Sequence, residues 1–378
     1  MNAVPADRHR PWSFAAGPAL LPEEVLQTVS RAVLDWQDTG RSVLELPFSS
    51  RECRRILAEA ESELRLLAGI PHCYRVLFLQ GGAYGHFGLL AMNLISGERS
   101  ADYAVTGHWG QRAFAEAGRR HRVRVAADGA ADDFRAIPPQ SEWRLDSGAA
   151  YCHITTAETA EGLQYHWTPD TADVALVADM TADFLTRPID VHRYGLIYAS
   201  AQKNLGVAGL TVVIVREDLL DRCDDTVPAV FNYARQARAD SRVNTPPLFA
   251  VYVALQMFQW LRRHGGLPAA LTRCRQRSAL LYEAIDTSRD FYRTPVAVND
   301  RSLVNVRFHL PDQEKERRFL AAAERQGLTD LAGHPAVGGI RASLYNAMPL
   351  AGARALAAFM EAFAKGGDTR AGRCAPTT

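Results

Sequence analysis

The sequence predicts an α/β protein, with a mostly parallel sheet sandwiched by helices and a smaller α+β unit after it. Three observations carry this reading. Short apolar runs alternate with helix-length segments between residues 76 and 215, the pattern of a sheet covered on both faces. The two polar residues that stand out, Asp179 and Lys203, each follow an apolar run, at the strand ends where open parallel sheets bind ligands. Beyond residue 266 the order changes to long helix, strand, helix, strand, helix.

Taken along the chain, residues 1–11 read as a loose lead-in. Pro22-Glu23-Glu24 opens a helix, with proline in the first turn and two acids at the positive end of the dipole. Val25, Leu26, Val29, Val33 and Leu34 recur at helical spacing, and Gly40 marks the end. A short alternating segment, 42–46, and a loop at 47–50 precede a helix over 51–67 that stops at Gly69. Next come a strand at 76–79, a glycine loop at 80–85 and a helix at 86–95. Residues 103–105 form a strand and 109–118 a helix. Further strands fall at 123–126, 150–154, 173–179, 195–198 and 210–215. An apolar helix at 249–263 closes at Gly265-Gly266, and a helix at 268–285 leads into the second unit. That unit has strands at 303–308 and 339–344 and helices at 313–326 and 350–364. The expected domains are 12–265, with an N-terminal segment reaching the smaller unit, and 266–365. A tail at 366–378, rich in Gly, Pro, Thr and Arg, reads as disordered.

Composition narrows the function classes. The 378 residues are 47% hydrophobic and 22% charged, with 43 basic against 42 acidic groups. Such a balance does not suggest a nucleic-acid or anionic-membrane surface. No apolar run reaches the length of a membrane span, and the polar N-terminus lacks a signal-peptide core. A cytoplasmic location is the default expectation. The six cysteines contain no Cys-x-x-Cys pair, so neither a metal site nor a disulfide framework is expected.

The chain is organised around Tyr198-Ala199-Ser200-Ala201-Gln202-Lys203-Asn204. A lysine between two buried strands must be desolvated, paired or converted to something neutral. Lys203 and Asp179 fit two readings: a structural ion pair, or the amine and carboxylate that a pyridoxal phosphate (PLP) enzyme needs, one holding the aldehyde and one the protonated ring nitrogen. Gly81-Gly82-Ala83-Tyr84-Gly85 precedes a helix, so its amides can cradle a phosphate or simply make a turn. Trp109 can stack on a flat ring or belong to the core. Thr159 can bond a cofactor or cap a turn. Asn244-Thr245-Pro246-Pro247 can donate to a phosphate or start a helix. Arg341 can grip a carboxylate or pair at the surface.

Together with Phe14–Pro22, Arg187–Val191, Gly209–Glu217 and Gly338–Pro349, these residues resemble the phosphoserine aminotransferase family over nearly the whole chain. The resemblance implies a PLP-dependent transferase of fold type I, with a seven-stranded type of sheet in its large domain. It implies Lys203 as the cofactor lysine and proton carrier, and Asp179 as the partner of the pyridinium. Trp109 would stack on the ring, and Ala83, Tyr84, Thr159 and Gln202 would bind the cofactor. Asn244 and Thr245 would reach the site from the other subunit of a homodimer, and Arg341 would hold the substrate α-carboxylate. The distal pocket departs from the family: Phe48-Ser49 stands for His-Arg, Tyr84 for Arg, and His334-Pro335 for His-Arg. Three arginines are thus absent, each worth roughly 1.5–3 kcal/mol in a charge-assisted bond. The sequence therefore suggests an amino acid and 2-oxo acid pair with a neutral or aromatic, unphosphorylated side chain in specialised biosynthesis. The alternatives are phosphoserine amination with a rebuilt phosphate site at Arg41 or Arg51, and elimination, replacement or decarboxylation on the same scaffold.

Overall fold

The structure is a computed structural model, described here over residues 10–366. The expected tail, Gly366 excepted, and residues 1–9 lie outside the described residues. A seven-stranded sheet runs in the order Tyr74–Gln80, Leu210–Arg216, Leu196–Ser200, Leu176–Asp179, Cys152–Thr155, Ala101–Val105, Val123–Asp128. All pairings are parallel except those of Leu210–Arg216, which is antiparallel to both neighbours. The central strands are buried residue after residue. This is why they read as unbroken apolar runs rather than alternating ones. Register aligns Thr155 with Asp179 and Asp179 with Tyr198. The strand ends after Thr155, Asp179 and Ser200 therefore meet at one edge. The antiparallel strand starts at that edge, so the 201–209 loop carrying Lys203 sits there as well.

One apolar core packs Leu77, Phe87, Tyr103, Tyr198 and Val213, and two others share a helix. The larger of these two packs Trp36, Ile56, Leu64, Phe78, Val212 and Phe258. The other gathers Phe308, Phe319, Phe359, Leu356 and Met360, and includes Phe14 from the N-terminal segment. Trp12–Ser13 pairs in parallel with Leu328–Thr329. The helix Gly266–Asp286 joins these two: Leu267 and Ala270 belong to the larger, Leu281 and Ile285 to the other.

Several boundaries differ from the sequence reading. The helix after the glycine loop begins at Ala83, three residues earlier than expected. Only Gly81 needs a positive φ (+108°); Gly82 is extended and serves as the N-cap. The 42–46 segment is a 3-10 turn, Val43–Glu45, closed by a capping box between Ser42 and Glu45. The 173–179 strand begins only at Leu176, because Thr171 and Val174 hold a turn through bonds of 2.7 and 3.0 Å. The helices Glu217–Leu220 and Tyr233–Arg238 were not expected; both are short and lack a long apolar stripe.

Candidate active site

At this strand edge lies a cavity of about 230 Å³, lined by Ala83, Tyr84, Trp109, Asp179, Gln202 and Lys203 among others. Lys203 is held in the 201–209 loop by local bonds. Gly206 N–H donates to Ala201 O at 2.7 Å, and Asn204 Nδ2 donates to Ala182 O at 2.6 Å. The N-terminal segment packs against this loop: Ala19 N–H donates to Gln202 O at 2.8 Å. A side chain at Gly17 would sit 3.2 Å from Gln202 Cγ and 3.4 Å from Lys203 Cγ.

Burial pushes the Lys203 amine down to about 8; Asp179 opposes that shift, while the Arg341 charge adds to it. Burial also raises the Asp179 carboxyl, against bonds from Thr181 and the charge of Lys203. The Thr181 amide donates to Asp179 Oδ1 at 2.8 Å. At the next strand end, the Trp109 indole N–H donates to Thr159 Oγ1 at 2.9 Å, and Lys203 Nζ lies 3.5 Å from the same oxygen. The amine stands 5.9 Å from the Trp109 ring centroid. Arg341 Nη1 donates to Thr159 O at 3.2 Å.

A pair of carboxylates missed at the level of sequence lies behind Trp109. Glu158 accepts the amides of Trp109 (2.9 Å) and Gly110 (2.7 Å), and Glu161 accepts that of His108 (3.0 Å). Both are buried. Burial raises the carboxyl of each, and at Glu158 the neighbouring Glu161 raises it further. They anchor the start of the His108–Gly118 helix, an electropositive end that favours carboxylates. Their only signal in the sequence was two acids flanking Thr159 in an otherwise uncharged stretch.

The structure thus brings together Ala83, Tyr84, Trp109, Thr159, Asp179, Gln202, Lys203 and Arg341. His334 stands beside them, its ring 5.9 Å from that of Trp109. Thr159, Arg341 and His334 adjoin the cavity without lining it, and four further candidates lie apart from this group within one chain. Phe48 and Ser49 are exposed; Ser49 O accepts from Arg54 at 2.6 Å. Asn244 and Thr245 are exposed too, and bond Gln80 through Asn244 Nδ2 (3.4 Å) and Thr245 O (2.6 Å). Arg41, which could have replaced a missing cation, pairs with Glu52 at 3.3 Å.

The cavity suits PLP on its own evidence. A half-buried lysine of lowered basicity faces it beside a buried carboxylate. The Ala83–Leu94 helix starts at its wall with no side-chain cap, so its first amides can receive a phosphate. PLP supplies an electron sink for the substrate α-carbon when bound. No helix among the described residues is long and apolar enough to cross a membrane, and those residues hold no metal-binding cluster.

Fold and site together define a PLP-dependent transaminase of fold type I. The aminotransferase class-V family matches residues 12–356. A phosphoserine aminotransferase of Laribacter hongkongensis is 50% identical over 94% of this chain and 98% of its own. That of Azotobacter vinelandii is 48% identical over the same shares. Among solved structures, phosphoserine aminotransferase from Bacillus circulans subsp. alkalophilus superposes with a TM-score of 0.93 at 41% identity, covering 94% of this chain and 99% of that one. The PLP-bound enzyme of Trichomonas vaginalis gives 0.90 at 34%, covering 93% and 100%. The chain belongs to the phosphoserine aminotransferase family.

Proposed function

We propose that this protein interconverts O-phosphoserine and 3-phosphohydroxypyruvate, with glutamate and 2-oxoglutarate as the second pair, a step of serine biosynthesis. The observation that carries the reading is a half-buried Lys203 that shares with Asp179 a cavity walled by Trp109, in a chain about half identical to phosphoserine aminotransferases along nearly their whole length. The unphosphorylated, neutral or aromatic substrate expected from the missing arginines finds no support among these relatives. Elimination, replacement and decarboxylation are not what these relatives are named for.

In this reading Lys203 holds the cofactor aldehyde and then moves the proton at the substrate α-carbon; a basicity near 8 suits both tasks. Asp179 would pair with the ring nitrogen and keep it protonated. Trp109, held by Thr159 and the Glu158–Glu161 pair, would stack on the ring. The amides of Ala83 and Tyr84 hold the cofactor phosphate with Gln202 nearby, and Arg341 takes the α-carboxylate. Phe48, Ser49, Asn244 and Thr245 serve the site of a second copy, so the active form is a homodimer. Their exposure within one chain supports this.

The test is a single half-reaction. Purified PLP enzyme is mixed with O-phospho-L-serine, L-serine and a panel of neutral and aromatic amino acids, and the cofactor absorbance is followed. Conversion by O-phospho-L-serine well ahead of L-serine is the expected result. Conversion by a neutral or aromatic amino acid with none by O-phospho-L-serine overturns it. Mixing K203A with N244A/T245A chains tests the shared site: a mixed dimer regains one intact centre only where the sites are shared.

A further inference from the structure

His108 and His334 face each other beside Trp109, a residue that lines the cavity. Their rings are 4.5 Å apart between centroids, and both contact Trp109, at 5.0 and 5.9 Å. His108 comes from the first turn of the His108–Gly118 helix, and His334 from the loop before the Ile340–Ser343 strand. One turn into that helix Arg112 is exposed and makes no salt bridge among the described residues. Glu116, one turn further along the helix and within reach of the Arg112 charge, is taken by Arg119 at 2.8 Å and by the Tyr84 hydroxyl at 2.9 Å.

The charges that reach this corner have one sign. His334 feels His108, Arg341, Arg112 and Lys203, all cationic or potentially so; His108 feels Arg112. Burial and these neighbours disfavour the proton on both imidazoles. The nearest acids on the packed elements, Glu158 and Glu161, accept the backbone amides of residues 108–110. A corner with a free guanidinium, two imidazoles and no carboxylate of its own is a site for an anion.

We propose that His108, His334 and Arg112 form the subsite for a negatively charged group, phosphate or carboxylate, at the far end of the substrate side chain. This rests on the aminotransferase reading. His108 and Arg112 stand on the helix of the cofactor-facing tryptophan, so the cations absent at Phe48-Ser49, Tyr84 and Pro335 are supplied from another wall. Arrival of the anion reverses the field at the imidazoles, and at least one takes up a proton.

The test uses the PLP enzyme with wild-type, H108N and R112M chains. Half-reaction kcat/KM is measured for O-phospho-L-serine, L-glutamate and L-alanine. Loss of a charge-assisted bond corresponds to about tenfold or more. We expect that loss for O-phospho-L-serine, for L-glutamate, or for both, with L-alanine changing less than about twofold. The identity of the affected substrate separates phosphate from carboxylate recognition. In parallel, inorganic phosphate is titrated calorimetrically at pH 7.5 in two buffers of different ionisation heat. Wild type should take up protons on binding, and H108N should not. An equal loss for all three amino acids, or phosphate binding without proton uptake in wild type, overturns the subsite. Failure of every amino acid to convert the wild-type cofactor overturns the transaminase reading instead, and the phosphate titration still decides the subsite.

Discussion

The Trp109 indole N–H donates to Thr159 Oγ1 at 2.9 Å. One hydroxyl thus fixes the flat face of the cavity, and Lys203 Nζ approaches the same oxygen at 3.5 Å. Thr159→Val keeps the shape and removes the acceptor. The indole then loses its partner in a buried setting, a net change of about 0.5–1.5 kcal/mol. PLP retention should weaken by up to about tenfold, with a change in Trp109 fluorescence in the cofactor-free protein. Cofactor absorbance after dialysis and emission spectra check this; unchanged emission would separate Thr159 from the orientation of Trp109.

The depressed basicity of Lys203 makes a second prediction. Its folded pKa of about 8 lies below the ordinary 10.5. The unfolded chain therefore binds the extra proton between those values, and stability from this group rises with pH across that window. Below pH 8 the buried charge costs at most about 3 kcal/mol. Cofactor-free wild type should therefore gain on Lys203→Met as the pH rises from 8 to 9.5, as measured by denaturant midpoints. The rate of PLP capture should climb through the same range, because only the neutral amine is a nucleophile. A flat difference between the two proteins across the window would refute the assignment.

Most of the sheet was legible because its central strands are buried on both faces and so are mostly apolar, with only a few polar residues such as His153 and Thr211. Asp179 and Lys203 were legible for the converse reason: each is a charge at the end of such a run. What escaped was set by contacts distant in sequence. Nothing local in the sequence singles out Glu158 and Glu161, which only folding places under the amides of residues 108–110. Nothing in the sequence pairs His108 with His334; only the folded loop bearing His334 brings the two rings together. The helix start at Ala83 was hidden because Gly82 and Gly85 read as loop, though neither has a positive φ.

Phe319 tests stability apart from chemistry. It is fully buried and sits edge-on to Tyr292, Phe308, Phe359 and Phe363, at centroid distances of 5.0–6.0 Å. Phe319→Ala should cost about 3–5 kcal/mol through lost burial and a residual cavity. Below the unfolding transition, PLP absorbance should be retained, since no atom of Phe319 lines the cavity. Calorimetry and a cofactor spectrum on one sample check both halves. Loss of PLP at a temperature where the fold persists would show that the two cores are coupled more tightly than their contacts suggest.

Glu158 offers the sharpest pH test of the scaffold behind the cofactor. Burial and Glu161 hold its carboxyl well above the ordinary 4.5, even though two amides favour the anion. The folded state therefore keeps a proton that the unfolded chain releases near 4.5. Stability from this group is full below that value and falls as the pH rises towards the folded pKa. Glu158→Gln cannot titrate, so its stability should decline less with pH above 4.5 than wild type. Its amide also presents N–H to one of the two backbone donors, so at low pH it should be less stable by about 1–3 kcal/mol. Gly107→Ala provides a structural control, because its Cβ would fall 2.6 Å from Glu158 Cγ and Cδ. It should lower stability while leaving the pH slope in place, unless Glu158 is expelled to solvent. Parallel slopes for wild type and Glu158→Gln, measured by thermal denaturation of cofactor-free protein from pH 4.5 to 7, would mean that Glu158 sits there ionised and that helix dipole and amides outweigh its burial.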